Sequence, residues 1–265
     1  MGKVRADRLL LERGLVASRS QARMLILTGK VRLENGVLLS RPAQVLASEI
    51  FLSLDSAAKF VSRGGEKLEA FLETFSVDVS GRYALDVGAS TGGFADCLLR
   101  HGVASVTCVD VGHGQLHPRL RRDVRIRNLE GLHAGDISTD LVGARPFELI
   151  CVDLSFISLR KVLPVLWRFL AEGGILIALI KPQFEAGRSI MARCRGVLRD
   201  AILQENLRDS LVSFALQHLD GSCLLGLMDS PLRGTRGNRE FLMGLKKREW
   251  QRDRSAGEST GVGEL

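Results

Sequence analysis

The chain has 265 residues, of which 45% are hydrophobic and 25% are charged, and its formal net charge is +7. This composition can build a buried core, which excludes a chain that is disordered throughout. Its length suits a small module followed by one α/β domain. The first 60 residues hold ten Lys and Arg against five Asp and Glu. This basic excess predicts a polyanionic partner, either nucleic acid or an anionic membrane surface.

The sequence disfavours membrane insertion, secretion and metal binding. Apolar runs such as residues 175–180 fall far short of the roughly 20 residues that a spanning helix needs. The N-terminus mixes charges with leucines and lacks the apolar stretch of a signal peptide. We therefore expect a cytoplasmic protein. The five cysteines are widely separated and no His or Cys cluster occurs, so we expect reduced thiols and no metal site.

Residues 1–60 have the pattern of two short helices followed by strands. Apolar spacing predicts one helix over residues 6–15 and a second over residues 18–29, each with a glycine at its end. A strand-like run at residues 31–33 precedes the dipeptide Asn35-Gly36, which is typical of a β-hairpin. The module is therefore predicted to contain two helices and then strands.

The order of residues in this module resembles the S4 RNA-binding domain of ribosomal and RNA-modifying proteins. The shared pattern is R-x-D-x-x-L, then Gly-Leu, Ser-Arg-x-x-Ala, Gly-Lys-Val and Asn-Gly. The resemblance implies that six residues lie near RNA phosphates: Arg5, Arg19, Gln21, Arg23, Lys30 and Arg32. The alternative is that each charge is an ordinary solvated side chain. Interleaved aromatic residues are absent, so we expect recognition of RNA shape and phosphates rather than base stacking.

A turn rich in glycine and hydroxyl groups follows the strand-like run at residues 83–87. It reads D-V-G-A-S-T-G-G from Asp86 to Gly93. Glycines let the backbone approach a ligand closely, and the next helix N-terminus offers unpaired N–H groups. A second strand-like run ends at Asp110, 24 residues after Asp86, where one βα unit would place a carboxylate for the ribose of a nucleotide cofactor. A lone turn of this kind is often only a tight connection, but the two features together predict a Rossmann-like cofactor site.

Two further apolar runs, residues 149–152 and 175–180, are followed directly by Asp153 and Lys181. Ligands bind at the carboxyl ends of the strands in open α/β sheets, so these two side chains are predicted to share one cleft. The alternative for each is a surface residue at the end of a strand, which is less expected directly after a buried run.

Six motifs along the chain resemble those of the TlyA family, also called hemolysin-like rRNA methyltransferases, and occur in the same order. They are S-R-G-G-E-K-L (62–68), D-V-G-A-S-T-G-G-F (86–94), V-D-V-G-H-G-Q-L (109–116), V-D-L-S-F-I (152–157), K-P-Q-F-E (181–185), and S-P with G-N-x-E-F (230–241). The resemblance covers nearly the whole chain. It implies an α/β fold, with a Rossmann-like methyltransferase domain similar to the FtsJ enzymes behind a small α+β S4 domain. The implied domain boundaries are 1–60 and 61–248. The end of the chain, 249–265, is rich in glycine, serine and charges, which predicts a flexible tail.

The resemblance also implies S-adenosylmethionine as cofactor and ribosomal RNA or a ribosomal subunit as partner. The implied reaction is methylation of a ribose 2′-hydroxyl, in that family on cytidine. The residues that would contact the cofactor are Asp86, Gly88, Ser90, Thr91, Gly92, Gly93, Asp110 and Asp153. The family's Lys-Asp-Lys-Glu tetrad falls on Lys67, Asp153, Lys181 and Glu240.

The chemistry of 2′-O-methylation fits these residue types. A hydroxyl is a very weak acid, so a base must take its proton while the oxygen attacks the methyl group. We assign that role to Lys181, with Lys67 supplying positive charge and the two carboxylates holding the lysines and the ribose. The choice between the two lysines stays open at this point.

Some segments depart from the family pattern. His133 and Gly135 stand where Asn and Arg are commoner, which leaves the adenine side of the pocket undefined. In the same segment, Glu130 and Asp136 are each either a cofactor ligand or a solvated carboxylate. The arginine-rich stretch 186–200 predicts either a mobile loop that closes on RNA or a solvated surface.

Three other functions stay open from the sequence. A membrane-active hemolysin needs an amphipathic or apolar inserting segment, and none is evident. An RNA-binding ribosome-assembly factor without catalysis is disfavoured because all four tetrad positions are filled. A small-molecule methyltransferase would leave the basic front module without a role.

Overall fold

The computed structural model describes residues 2–16, 18–34, 36–54, 59–194, 196–234 and 237–249. The predicted tail, apart from its first residue Glu249, lies outside them. One hydrophobic core is built from residues between Val4 and Leu54, and two further cores are built from residues after Lys59. No helix within the described ranges is long and apolar enough to cross a membrane.

The N-terminal module contains two helices and two small antiparallel sheets, β1 with β3 and β2 with β4. Its elements are β1 (Lys3–Arg5), α1 (Ala6–Glu12), α2 (Arg19–Leu27), β2 (Val31–Leu33), β3 (Val45–Ala47) and β4 (Leu52–Leu54). Both predicted helices are confirmed, and Ser18 begins the second by accepting the Gln21 N–H at 3.1 Å.

The predicted hairpin after β2 is found only in part. Asn35 lies outside the described residues. Beyond the turn a bridge joins Arg32 to Leu38, and the N–H groups of Leu33 and Leu39 donate to the carbonyls of Val37 at 2.9 Å and Val31 at 2.8 Å. The strand partner of β2 is β4 instead. The Asn-Gly dipeptide indicated a turn, but the longer pairing is made with a distant strand that local pattern does not identify.

The second part of the chain is an α/β domain around a seven-stranded sheet. Its helices are α3 (Arg63–Thr74), α4 (Gly93–Arg100), α5 (Pro118–Arg121), a 3-10 helix (Ala134–Asp136), α6 (Thr139–Val142), α7 (Leu159–Trp167), α8 (Pro182–Glu185), α9 (Arg188–Arg193) and α10 (Ala201–His218). Its strands are β5 (Tyr83–Val87), β6 (Ser105–Asp110), β7 (Ile126–Glu130), β8 (Phe147–Val152), β9 (Leu170–Ile180), β10 (Ser222–Asp229) and β11 (Phe241–Lys247).

The order of strands in the sheet is β10-β11-β9-β8-β5-β6-β7, and β11 alone runs against the others. One core packs α3 and α4 on one face, and another packs α7 and α10 on the opposite face. Central strands are therefore covered on both sides, which explains their continuous apolar sequence. The predicted Rossmann-like α/β fold is confirmed.

The arginine-rich stretch 186–200, predicted as either a mobile loop or a solvated surface, contacts the α/β domain at its end. It contains the short helix α9, and Leu198 beyond it is buried with 2% exposure. The Leu198 N–H donates to Asn238 Oδ1 at 2.9 Å, and its carbonyl accepts from Gln204 Nε2 at 2.6 Å. Two buried amide side chains thus fix the end of this stretch to the domain.

Candidate active site

Three of the four tetrad residues lie at the carboxyl edge of the sheet. Asp153 follows β8 and Lys181 follows β9, as their positions after apolar runs predicted. Glu240 directly precedes β11, whose first residue Phe241 pairs with Ile180 at the end of β9. Because β11 is antiparallel to β9, its beginning meets the carboxyl end of β9. The reversed strand therefore delivers Glu240 to the same edge.

The tetrad forms two ion pairs. Lys67, on α3, donates to Glu240 with 2.6 Å between Nζ and Oε2, and both residues are buried, with 7% and 4% exposure. Lys181 Nζ lies 2.5 Å from Asp153 Oδ1 and donates to Ser155 Oγ at 3.1 Å. Each lysine thus has its own carboxylate, whereas the sequence had indicated only a shared cluster.

Two cavities open at this edge. The large cavity, of about 690 Å³, is lined by residues of the β8–α7, β9–α9 and β10–β11 connections, among them Ser155, Phe156, Lys161, Lys181, Asn238 and Glu240. The small cavity, of about 270 Å³, is lined by the glycine-rich turn and the start of α3, among them Ser62, Arg63, Lys67, Asp86, Gly88, Ser90, Thr91, Gly93 and Asp153.

The two ion pairs connect the two cavities. Lys181 and Glu240 line the large cavity, and their partners Asp153 and Lys67 line the small cavity. The wall between the cavities therefore consists in part of four charged side chains in opposite-sign pairs. A group held in one cavity would meet a group held in the other across these side chains.

The turn that lines the small cavity depends on its glycines. Gly88 has φ +86°, and a Cβ there would stand 2.3 Å from the Asp153 carbonyl oxygen. A Cβ on Gly93 would stand 2.2 Å from Ser62 Oγ. Ser90 also takes a positive φ, +47°, which is uncommon for a residue other than glycine. The backbone of the turn therefore packs against Asp153 and Ser62 more closely than a side chain would allow, and its approach to a ligand stays a prediction.

Asp86 is a buried carboxyl group on the wall of the small cavity. Its Oδ2 accepts the Ala95 N–H of α4 at 3.0 Å, and its Oδ1 has no partner among the described residues. Burial, with the nearby charges of Asp153 and Asp110, raises the pKa of Asp86 to about 8, although the Ala95 N–H opposes this shift. An unpaired buried oxygen on a cavity wall suits a cationic ligand group.

Asp110 shapes the turn rather than lining the small cavity. Its Oδ2 accepts the Ser90 N–H at 2.8 Å, and its Oδ1 accepts the Gly112 N–H at 2.7 Å. Gly92 also lies outside the lining. Glu130 accepts the Gly114 N–H at 2.9 Å, and this hydrogen bond lowers the pKa of Glu130. The Asp110 and Glu130 carboxylates thus stabilise the connection after β6 by accepting its backbone N–H groups.

The large cavity contains features that the sequence did not identify. Phe156 is 91% exposed, has φ +67°, and its ring packs against Phe184 with centroids 5.1 Å apart. Asn238 is buried, and its Nδ2 donates to the Gly196 carbonyl at 3.1 Å. Both residues belong to the motifs at 152–157 and 230–241, but a positive φ or a buried amide bond cannot be read from the motif letters.

Four of the six predicted RNA contacts lie on the exposed side of the N-terminal module. Arg5 and Arg19 both contact the buried carboxylate of Asp7. Gln21 and Arg23 are exposed on α2. Their exposure is compatible with the predicted contacts to phosphates.

The other two predicted contacts, Lys30 and Arg32, also have partners within the chain. Lys30 faces the α/β domain, with Nζ 3.5 Å from Glu66 Oε1 and only 14% of its side chain exposed. Arg32 Nη1 donates to the Gly36 carbonyl at 3.1 Å. Thr28, at the end of α2, lines the small cavity. The module therefore touches the α/β domain beside the candidate cofactor site.

Groups of potential metal ligands are not found in the described ranges. No three side chains of His, Cys, Asp or Glu come together there. The cysteines are free thiols, and burial raises the pKa of Cys97, Cys108 and Cys151 above its usual range. These thiols are therefore packing groups.

Residues 60–247 match the model of the FtsJ-like methyltransferases. The chain belongs to this family of methyltransferases. It is 40% identical to the 16S/23S rRNA (cytidine-2′-O)-methyltransferase TlyA of Mycobacterium tuberculosis, covering 92% of this chain and 90% of TlyA. It is 37% identical to Hemolysin A of Brachyspira hyodysenteriae, covering 90% and 98%. The solved structure of a candidate hemolysin from Streptococcus thermophilus is similar with a TM-score of 0.72 and 37% identity, covering 94% and 90%. The resemblance to the TlyA family is thus confirmed.

Proposed function

We propose that this protein transfers the methyl group of S-adenosylmethionine to a ribose 2′-hydroxyl of ribosomal RNA. One observation carries the proposal: two lysine–carboxylate pairs stand between a cavity built by a glycine-rich turn and a larger open cavity. Methyl transfer needs a donor and an acceptor on opposite sides of one reacting centre, and this arrangement provides two such compartments.

The small cavity fits a cationic nucleotide cofactor. The unpaired Asp86 Oδ1 would receive the α-ammonium group, and the close-packed turn from Gly88 to Gly93 would receive the adjoining atoms. Asp110 lies outside the lining of the small cavity, and its oxygens keep lone pairs for the ribose hydroxyls of a cofactor that extends beyond that cavity along the turn. When bound, S-adenosylmethionine supplies an electrophilic methyl group on a sulfonium centre.

The large cavity fits a nucleotide of RNA. Lys161 and Lys181 contribute positive charge to it, and the exposed Phe156 ring offers an apolar face on which a base can stack. Phe156 holds a left-handed backbone conformation although it is neither glycine nor asparagine. Strain of this kind persists where the surroundings impose it, and it is common at ligand-binding sites.

Lys181 is the base in this proposal. In its neutral form it would take the proton from the ribose oxygen as that oxygen bonds to the methyl carbon, while the methyl–sulfur bond would break and leave S-adenosylhomocysteine. The resulting ammonium would pair with Asp153, whose Oδ1 lies 2.5 Å from Lys181 Nζ. Lys181 then releases the proton to water before the next turnover. Ser155, which accepts from Lys181 Nζ, fixes the direction in which the amine points.

Lys67 and Glu240 have a different role in the proposal. Lys67 is one helix turn inside α3 and fully engaged with Glu240, so it contributes a fixed positive charge beside the reacting oxygen. That charge stabilises the negative charge that develops on the ribose oxygen. Glu240 holds Lys67 in place. Lys181 is paired with Asp153 in the same way, but it lines the large cavity proposed for RNA, and for that reason we assign it the proton exchange.

Methylation of ribosomal RNA tests the proposal directly. The full chain is incubated with methyl-tritiated S-adenosylmethionine and with isolated 30S subunits, 50S subunits or deproteinised rRNA, and the RNA is digested to nucleosides. We expect label in a 2′-O-methylated nucleoside, and in cytidine if the chain follows its TlyA relative. Label in a methylated base, or in none of the substrates, would contradict the proposal.

Two further measurements on the purified chain separate the alternatives. Binding of rRNA without transfer of label would favour an assembly factor without catalysis. Release of haemoglobin from erythrocytes by the purified chain would favour the activity named in Hemolysin A, its relative in Brachyspira hyodysenteriae. The proposed site of action is ribosomal RNA, and we accordingly expect the protein in the cytoplasm.

A further inference from the structure

A buried carboxylate in the N-terminal module has two arginine partners. Asp7, in the first turn of α1, has no exposed surface. Arg5 binds it through two hydrogen bonds, Nε to Oδ1 at 3.0 Å and Nη2 to Oδ2 at 2.9 Å. Arg19, at the start of α2, adds Nη2 to Oδ2 at 3.3 Å. The two guanidinium groups therefore donate to the same oxygen atom, Asp7 Oδ2, and lie side by side.

Both arginines stay accessible while they bind Asp7. The side chains are 48% exposed for Arg5 and 56% exposed for Arg19. A guanidinium group has five N–H donors. Asp7 uses two N–H groups of Arg5 and one of Arg19. Each guanidinium therefore keeps donors that point away from the carboxylate.

The charge balance of this cluster explains its geometry. Two guanidinium groups repel each other at short range, and the carboxylate between them offsets that repulsion. Hydrogen bonds from Arg5 lower the pKa of Asp7 to about 2, so the carboxylate stays ionised throughout the physiological pH range. The cluster keeps one net positive charge, spread over two planar donor groups.

We propose that Asp7 is a positioning residue that presents Arg5 and Arg19 as one preorganised clamp for an RNA phosphate. The proposal rests on the RNA-binding part of the proposed function. Two guanidinium groups with fixed planes match the oxygens of a single phosphate, and fixing them in advance removes the entropy cost of ordering two long side chains on binding.

The clamp and simple electrostatic attraction predict opposite changes in RNA affinity for one substitution. Asp7→Asn makes the module more positive by one charge, so attraction to a polyanion would strengthen by charge alone. The clamp requires the opposite result, because the two guanidinium groups lose the carboxylate that fixes them. Binding of RNA should weaken although the positive charge increases.

The experiment measures binding of the full chain to deproteinised 16S and 23S rRNA by filter retention without cofactor, over a range of salt concentrations. We expect Asp7→Asn to raise Kd about tenfold, the value of one charge-assisted contact. The slope of log K against log salt should become shallower by roughly 0.7 to 0.9 for each phosphate contact that is lost.

The matched control is on the same helix. Glu12 pairs with Arg8 at 2.6 Å on the exposed side of α1, so Glu12→Gln also removes a carboxylate from an arginine and also adds one positive charge. We expect Glu12→Gln to bind rRNA at least as tightly as the original chain. The difference between the two variants isolates the geometry of the clamp from its charge.

A second variant keeps the buried carboxylate. The double substitution Arg5→Lys and Arg19→Lys leaves the net charge and the pairing of Asp7 in place but removes the planar donors. We expect about tenfold weaker binding, with Arg8→Lys as the unchanged control. Thermal unfolding of each variant checks that the module is folded, and if Asp7→Asn unfolds it, the lysine double variant decides alone.

Two results would overturn the clamp: a folded Asp7→Asn variant that binds as tightly as Glu12→Gln, or a lysine double variant that binds like the original chain. Either would leave the proposed methyl transfer intact. Conversely, an original chain that binds rRNA but transfers no methyl group would contradict the proposed function and leave the clamp test valid.

Discussion

Lys67 on helix α3 and Glu240 before strand β11 form a buried ion pair although they are 173 positions apart in the sequence. The pair joins the helix that lines the small cavity to the segment before β11 that lines the large one. Two buried charges are costly to desolvate, and an apolar pair of similar size is often as stable or more stable. Because one partner lines each cavity, we infer that the pair serves the site rather than the fold.

This view predicts the behaviour of Glu240 variants. Glu240→Gln leaves the buried Lys67 without its counter-charge, so the free energy of unfolding should fall by about 3 kcal/mol and methyl transfer should be lost. The combined variant Lys67→Met with Glu240→Leu should recover the stability but not the activity. Urea unfolding and the tritium assay measure the two effects.

The control for Glu240→Gln is an exposed ion pair. Asp209 is 58% exposed and contacts its neighbour Arg208, so Asp209→Asn should change stability by less than about 0.5 kcal/mol. If the combined variant Lys67→Met with Glu240→Leu stays as unstable as Glu240→Gln, the ion pair is a need of the fold, which would contradict its proposed role in the site.

Lys181→Ala should abolish methyl transfer while rRNA binding persists. The amine contacts Asp153 and Ser155 at the boundary of the two cavities, and an alanine has no group to accept the ribose proton. Lys161→Met is the matched control, since it removes a second lysine from the wall of the same large cavity. It should raise the KM for rRNA and leave kcat within about twofold. Substantial 2′-O-methylation by Lys181→Ala would refute the assignment of the base.

Part of this site can be predicted from the sequence, because it depends on residues that are close together in the chain. Asp153 and Lys181 each follow a continuous apolar run, and such runs are parallel strands whose carboxyl ends meet. The turn from Asp86 to Gly93 carries its own pattern of glycines. Strand, turn and helix starts depend on near neighbours, so their residues could be placed from spacing alone.

The rest of the site depends on contacts between distant segments. Lys67 lies inside a helix and Glu240 lies before a reversed strand, and only the family resemblance pointed to them. No sequence pattern pairs Lys67 with Glu240 rather than with Asp153. The positive φ of Phe156 is equally invisible, because its neighbours impose it. Tertiary packing decides each of these features.

The buried Asp86 predicts a pH dependence of stability with a definite sign. Its pKa is about 8 in the folded chain, against an ordinary value of 3.8. Between these values the folded state holds a proton that the unfolded state has released, so the free energy of unfolding should fall as the pH rises from about 4 to 8. Asp86→Asn should remove this dependence and raise the stability at neutral pH by a few kcal/mol. Urea unfolding between pH 5 and pH 8 measures it.

Binding of the cofactor should respond to the same group in the opposite direction. A cationic ammonium binds the ionised form of Asp86, so the affinity for S-adenosylhomocysteine should rise with pH toward 8, by up to about tenfold per pH unit. Calorimetry between pH 6 and pH 8 tests this, with Asp86→Asn as the variant whose affinity should be weak and flat. An affinity of the original chain that does not change with pH would exclude Asp86 as the ammonium partner.

We expect Phe156 to lower the stability of the chain while it supports the binding of RNA. Its φ of +67° costs a residue with a Cβ about 1 kcal/mol, and its 91% exposure means that little apolar burial is lost on removal. Phe156→Gly should therefore leave the chain as stable or more stable, while the KM for rRNA rises about tenfold because the stacking face is gone. Ser76→Gly is the control, since Ser76 also has a positive φ, +49°, and lines neither cavity. It should gain stability without any change in KM. If Phe156→Gly kept the original KM, the strained ring would have no part in binding RNA, and its conformation would follow from packing against Phe184 alone.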